Sequence, residues 1–161
     1  PNVLIWCNYQ DHVWIISNNK GGDVQGVFTR LSQANARLDM ALKQYGHHYV
    51  EDRRLGFLNT SPADIGTALR ASVVIKLVRL GKLAKFDELM QRLSIEAVME
   101  HDEDSKRYTG IFDIGNAATL GKTEVQVINI MIRGVGICID LERRLENGEK
   151  IDLNEILKDI D

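Results

Sequence analysis

The chain has 161 residues, 44% of them hydrophobic and 27% charged, with a formal net charge of −3. That balance fits one soluble domain (residues 1–161) able to bury a core without disulfides or metals. With Lys and Arg scattered along the chain, it excludes the basic field that nucleic-acid binding needs. The two cysteines, Cys7 and Cys138, lie far apart in apolar surroundings and read as buried free thiols of a reducing compartment. No signal peptide is visible and no apolar run is long enough to span a bilayer. The expectation is an intracellular protein without a transmembrane segment.

In chain order, the apolar runs 3–7 and 13–16, separated by Asn8-Tyr9-Gln10-Asp11, predict two buried strands joined by a tight polar connection. Gly21-Gly22 breaks the chain, Asp23 caps a helix carrying Val27, Leu31, Ala34, Leu38 and Leu42 on one face, and Gly46 ends it. A loop with His47, His48, Arg53 and Arg54 follows. Residues 55–59 predict a strand, Pro62 opens a short helix, and the β-branched stretch 70–77 predicts a further strand. Beyond it come a helix over 82–93, strands over 95–99 and 110–114, a long helix over 122–146 and a short amphipathic helix over 153–160. Alternating strands and helices without internal repeats argue for one mixed α/β domain.

Five stretches, taken together and in order, resemble one family. Trp6-Cys7-Asn8 with Asp11-His12 and Ile15-Ile16-Ser17 is similar to W-C-N-E-E-D-H-x-R-I-I-S, and Gly21-Gly22-Asp23 follows at the same spacing. Arg54-Leu55-Gly56-Phe57-Leu58, then Gly66-Thr67 and Arg70-Ala71-Ser72-Val73, match R-L-G-F-L-T-x-C-P-x-N-L-G-T-x-x-R-A-S-V. Ile75-Lys76-Leu77 continues the pattern, and Phe112-Asp113-Ile114 with Gly121 and Thr123-Glu124 echoes a later segment. The chain resembles the phosphagen (ATP:guanidino) kinases, the arginine and creatine kinase family, over the C-terminal part of their catalytic domain. The resemblance implies an α+β fold of the glutamine synthetase/guanidino kinase type: a mainly antiparallel sheet flanked by helices, with ATP and a guanidino substrate over it. It also implies that the chain begins partway into that domain, as a partial domain without a helical domain and the first part of the sheet.

Phosphoryl transfer to a guanidino nitrogen needs in-line positioning, cations on the phosphates with Mg²⁺, and carboxylates that orient the guanidinium. By the resemblance, the family carboxylate that holds the guanidinium falls on Gln10, a neutral amide that cannot pair a cation. The reactive cysteine falls on Ser61, whose hydroxyl does not ionise near neutral pH. Phosphate-binding arginines fall on Trp14, Val98 and Thr119, the second arginine of the mobile loop on His101, and the adenine-contacting histidine on Val74. Arg70 and Glu103 alone are retained, Glu103 within the acidic run Asp102-Glu103-Asp104 where the family is glycine-rich and basic. Hydrogen bonds to charged groups contribute about 1.5–3 kcal/mol each, so three lost arginines remove about 5–9 kcal/mol by simple addition. Half of that abolishes millimolar-to-micromolar nucleotide binding.

The helix predicted over 122–146 is apolar around an arc of about 240°, wider than one sheet face uses. Its isoleucines Ile130, Ile132, Ile137 and Ile139 read as a surface for a protein partner, and a cut sheet would leave a strand edge that also needs covering. With Gly134 and Gly136, the same stretch also permits a strand. Residues 115–123 have the look of a phosphate loop but place five residues between the glycines where that motif has four. His47-His48 with Glu51 and Asp52 has no second ligand pair at helical spacing and reads as a solvated loop.

The expectation is a catalytically inactive phosphagen-kinase-like protein: a structural or interaction subunit of a larger intracellular assembly, cytoplasmic or mitochondrial, with no cofactor. The alternative is a split or fragmentary ATP:guanidino phosphotransferase using Mg-ATP, with another chain supplying the missing strands and arginines. A third reading is a regulatory module that binds an anion weakly at Arg70.

Overall fold

The computed structural model describes residues 2–100 and 108–160. Contacts divide the chain into two compact units, one running to Pro62 and the other beginning at Ala63.

In the first unit, β1 (Val3–Cys7) and β2 (Val13–Ser17) pair antiparallel with Trp6 opposite Trp14. The tight connection holds Asn8, Asp11 and His12 at positive φ, where short polar side chains are tolerated best. Helix α1 (Val24–Gln44) begins where expected, its cap Asp23 accepting the Gly26 N–H at 2.9 Å. Gly46, at φ +77°, follows its end. The Ser17 hydroxyl donates to the Val27 carbonyl at 2.9 Å, tying the helix to β2.

Three expectations are corrected in this unit. The strands β1 and β2 are not buried: Leu4, Ile5, Trp6 and Trp14 are all exposed, and no described residue of the unit is fully buried. Two strands and one helix cover a single sheet face, and the indoles on the other face stack on each other at 6.2 Å. Cys7 is therefore exposed, whereas Cys138 is buried as expected. The strand predicted over 55–59 shrinks to β4 (Gly56–Phe57), paired with β3 (Glu51–Asp52) in what had read as loop. Asp52 makes that turn, its Oδ1 accepting the N–H groups of Arg54 at 2.7 Å and Leu55 at 3.0 Å. Those bonds hold its carboxyl below the usual aspartate range.

The second unit is a three-stranded antiparallel sheet in the order β5 (Ser72–Lys76), β7 (Ile111–Asn116), β6 (Ile95–Met99), packed on helices α2 (Phe86–Arg92), α3 (Glu124–Glu146) and α4 (Leu153–Asp159). Alternation along each strand sends Ile95, Phe112 and Ile114 inward, where they meet Leu77, Leu80, Leu89, Val127 and Cys138. Helix α3 starts with the capping box of Thr123 and Gln126 and is helical throughout, so the strand alternative falls. A Cβ on Gly134 would lie 2.7 Å from Ile95 Cδ1, so a larger residue there would displace the Ile95 side chain.

The helix predicted over 82–93 is also corrected. A 3₁₀ turn occupies Leu80–Lys82, the chain extends at Leu83, and α2 begins only at Phe86. The cause lies far away in sequence. The buried carboxylate of Glu142 accepts the Arg79 and Leu80 N–H groups, at 2.9 and 2.7 Å, and so starts the turn early.

Burial pushes the Cys138 thiol up to about 12. We expect iodoacetamide at mildly alkaline pH to alkylate Cys7 rapidly and Cys138 only on unfolding. Intact-mass analysis over time reads this, and labelling of both thiols at equal rates would contradict it.

Candidate functional site

The outer face of the β5-β7-β6 sheet holds the retained arginine. Val74 on β5 and Val98 on β6 both stand opposite Asp113 on the central strand, and one row along, Glu96 and Ser72 flank Gly115. Arg70, just before β5, reaches over this face, its guanidinium bonded to the carboxylates of Glu96 and of Asp113, the latter at 3.2 Å. Partial burial works against the charged form, but the hydrogen bonds it donates to both carboxylates outweigh this and hold the guanidinium above its ordinary pKa. The second oxygen of Asp113 is buried without a hydrogen-bond partner among the described residues. Arg70 and Glu96 are about half exposed, so each pair contributes at most about 1 kcal/mol to stability.

A phosphate site on such a sheet needs unpaired cations around a concave surface. Here the one arginine is neutralised twice, and its neighbours Val74 and Val98 are apolar and more than half exposed, at 58% and 56%. Neither valine can donate to a phosphate oxygen.

The other predicted positions lie elsewhere. Gln10 is exposed in the β1–β2 connection, and Trp14 is stacked on Trp6 across the hairpin. Ser61 is half-buried beside the 3₁₀ turn Pro62–Asp64. Thr119 is buried, and its hydroxyl proton is shared between the carbonyls of Ala63 at 2.9 Å and Ile65 at 2.7 Å. Asn116, in the stretch that resembled a phosphate loop, is likewise turned inward: its Oδ1 accepts the Ala71 N–H at 2.8 Å and its amide donates to Leu69 at 3.1 Å. Glu103, His101 and the acidic run lie outside the described residues.

Sequence reasoning missed Glu96 and Asp113 as the partners of Arg70. The alternation of β6 already puts Glu96 on the face opposite Ile95, Ala97 and Met99. What it lacks is the strand order that brings β6 and β7 under Arg70.

The sequence matches the description ATP:guanido phosphotransferase, C-terminal catalytic domain, over residues 1–145, which takes in both units. The chain belongs to that family. Among similar curated proteins of this phosphagen kinase family are creatine kinase B-type of Gallus gallus, 38% identical over 149 residues (92% of this chain, 39% of that protein), and glycocyamine kinase of Hediste diversicolor, 36% identical over 151 residues (94% and 38%). A crystal structure of lombricine kinase superimposes with a TM-score of 0.85 at 37% identity, covering 94% of this chain and 42% of that one. The chain thus spans about two fifths of the length of the phosphagen kinases it matches. The mixed helix and antiparallel sheet architecture is the family's, as the motifs implied. Helix α4 lies beyond the residues the family description matches. No helix among the described residues is long and apolar enough to cross a membrane.

Proposed function

We propose that this chain is a non-catalytic phosphagen-kinase-like module that serves as a structural or interaction subunit of a larger intracellular assembly. The observation that carries the reading is the double neutralisation of Arg70 by Glu96 and Asp113 on a face otherwise offering Val74 and Val98. The relatives' chemistry is stabilisation of phosphate charge, and these residues do not fit Mg-ATP: the one retained cation is already paired. Gln10, Ser61 and Trp14 add to it, since none supplies the charge or the thiolate that the family motif carries there. In support of the interaction role, Ile132 on α3 is exposed, and Ile130, Ile137 and Ile139 are only half-buried.

Two measurements on the full chain test the catalytic half of this reading. Isothermal titration with Mg-ADP is expected to give no heat of binding in the micromolar-to-millimolar range, for the chain and for an Arg70→Ala variant alike. Phosphoryl transfer from ATP to creatine, glycocyamine or lombricine is expected to stay at background. Binding of Mg-ADP that Arg70→Ala abolishes would overturn the reading in favour of a phosphotransferase, and the same result seen only with a co-purified partner chain would point to a split kinase.

A further inference from the structure

The hairpin of β1 and β2 carries three exposed rings in one cluster. Between ring centroids, Trp6 lies 5.2 Å from Tyr9 and 6.2 Å from Trp14, and Tyr9 lies 5.3 Å from Trp14. Each of the three is about half exposed. The indoles are nearly parallel, at 15°, whereas the Tyr9 ring is tilted 57° and 43° to them, so the cluster is not one flat patch. Tyr9 and Trp14 stand where the family motif has a glutamate and an arginine. Two of the three rings are therefore this chain's own departure from the motif.

The charge around the rings favours a cation. Residues 3–17 contain no Lys or Arg and one carboxylate, Asp11. That carboxylate accepts the Thr60 N–H at 2.7 Å and the Thr60 hydroxyl at 3.1 Å, which keeps its negative charge in the turn that follows Tyr9. Aromatic faces attract a cation that lies within about 6 Å of their centroids. No two centroids here are more than 6.2 Å apart, so one cation seated over the cluster reaches all three. Ring faces accept no ordinary hydrogen bond, so a cation bearing several N–H groups gives up its water without replacement. A quaternary ammonium has no N–H to satisfy, and its methyl groups pack well against indole.

We propose that Trp6, Tyr9 and Trp14 form a binding site for a quaternary ammonium group, carried by a free small molecule or by a trimethylated lysine side chain. The site lies wholly within the first unit. It goes beyond the non-catalytic reading and does not depend on it.

Intrinsic fluorescence of the full chain tests it, because Trp6 and Trp14 are its only tryptophans and all indole emission comes from this cluster. Choline chloride is expected to change the emission saturably, with a dissociation constant in the millimolar range, against a sodium chloride control of equal ionic strength. Dimethylbutanol, the neutral isostere of choline in which carbon replaces nitrogen, is expected to bind about tenfold more weakly. Ammonium chloride is expected to match the sodium chloride control. Tyr9→Ala keeps both indoles as reporters and is expected to weaken choline binding about fivefold, whereas Tyr9→Phe keeps the ring and binds as the wild type does. Trp14→Arg puts back the motif's cation and is expected to abolish binding, with Trp6 still reporting. Circular dichroism checks folding, and the contrast of Tyr9→Phe with Tyr9→Ala separates a lost ring from a damaged hairpin. An acetylated trimethyl-lysine amide run beside glycine betaine identifies the source: preference for the first assigns a protein side chain, preference for the second a free solute. Equal binding of choline and its neutral isostere, a response to cellobiose but none to choline, or no saturable response to any quaternary ammonium would each overturn the proposal. The rings would then be a cross-strand cluster that only stabilises the hairpin. Mg-ADP binding bears on the non-catalytic reading alone, and choline binding on this site alone.

Discussion

Glu142→Ala is expected to lower the melting temperature of the second unit by about 10 °C or more. The Glu142 carboxylate is 5% exposed and accepts the Leu80 N–H at 2.7 Å and the Arg79 N–H at 2.9 Å. Those donors begin the 3₁₀ turn Leu80–Lys82, and Leu80 is fully buried beneath them. Alanine leaves both N–H groups without this acceptor, that of Leu80 in buried surroundings, at about 1–3 kcal/mol for a buried group. It also opens a cavity beside the core. Glu142→Gln keeps one acceptor oxygen and is expected to lose roughly half as much. Tyr108 offers a second readout. Its hydroxyl titrates above the ordinary tyrosine value, chiefly through burial and secondarily through the charge of Glu142. Removing that charge brings the titration partway back. Thermal denaturation and ultraviolet pH titration measure the two effects, and an unchanged melting temperature in Glu142→Ala would refute the argument.

Thr119→Arg, which restores the residue type the family motif carries at this position, is expected to destabilise the unit by about 3 kcal/mol without creating nucleotide binding. The Thr119 hydroxyl holds the carbonyls of Ala63 and Ile65, and the Thr119 carbonyl accepts the Thr67 N–H at 3.3 Å. At Gly66, with φ +118°, an added Cβ would fall 2.5 Å from the Thr119 oxygen, so two backbone segments lie in contact here. A long cationic side chain must leave that contact, taking the bridging hydroxyl with it. Thr119→Val keeps the shape and loses only the bridge, and about 1 kcal/mol is expected for it. Chemical denaturation orders the three proteins, and titration with Mg-ADP checks for a gain of binding. A stable Thr119→Arg variant that binds Mg-ADP would mean that the site is one residue away from function.

Arg70 shows why retention of a residue is weaker evidence than retention of its surroundings. The arginine of R-A-S-V stands where the motif puts it, yet it is held by Glu96 and Asp113, 26 and 43 residues away. Its guanidinium is paired to two carboxylates, and a phosphate would have to displace them both.

What the sequence determined by itself was local. Asp23 and Thr123 accept N–H groups within their own first turns, and Gly46 takes the positive φ that follows α1. Caps, periodicity and family motifs therefore placed α1, α3 and β6 close to their observed bounds. The ordered motifs also carried the family, since they need no contact to be read. Tertiary structure alone decided what depends on distant partners. Glu51–Asp52 became a strand because Gly56–Phe57 folds back on it, and the expected helix at 82 became a 3₁₀ turn because of a carboxylate some 60 residues away. The two indoles, read as core, lie outside because no described element of their own unit covers that face of the hairpin. Burial is a property of how many layers stack, and a strand's own residues state which face wants cover without stating whether it receives any.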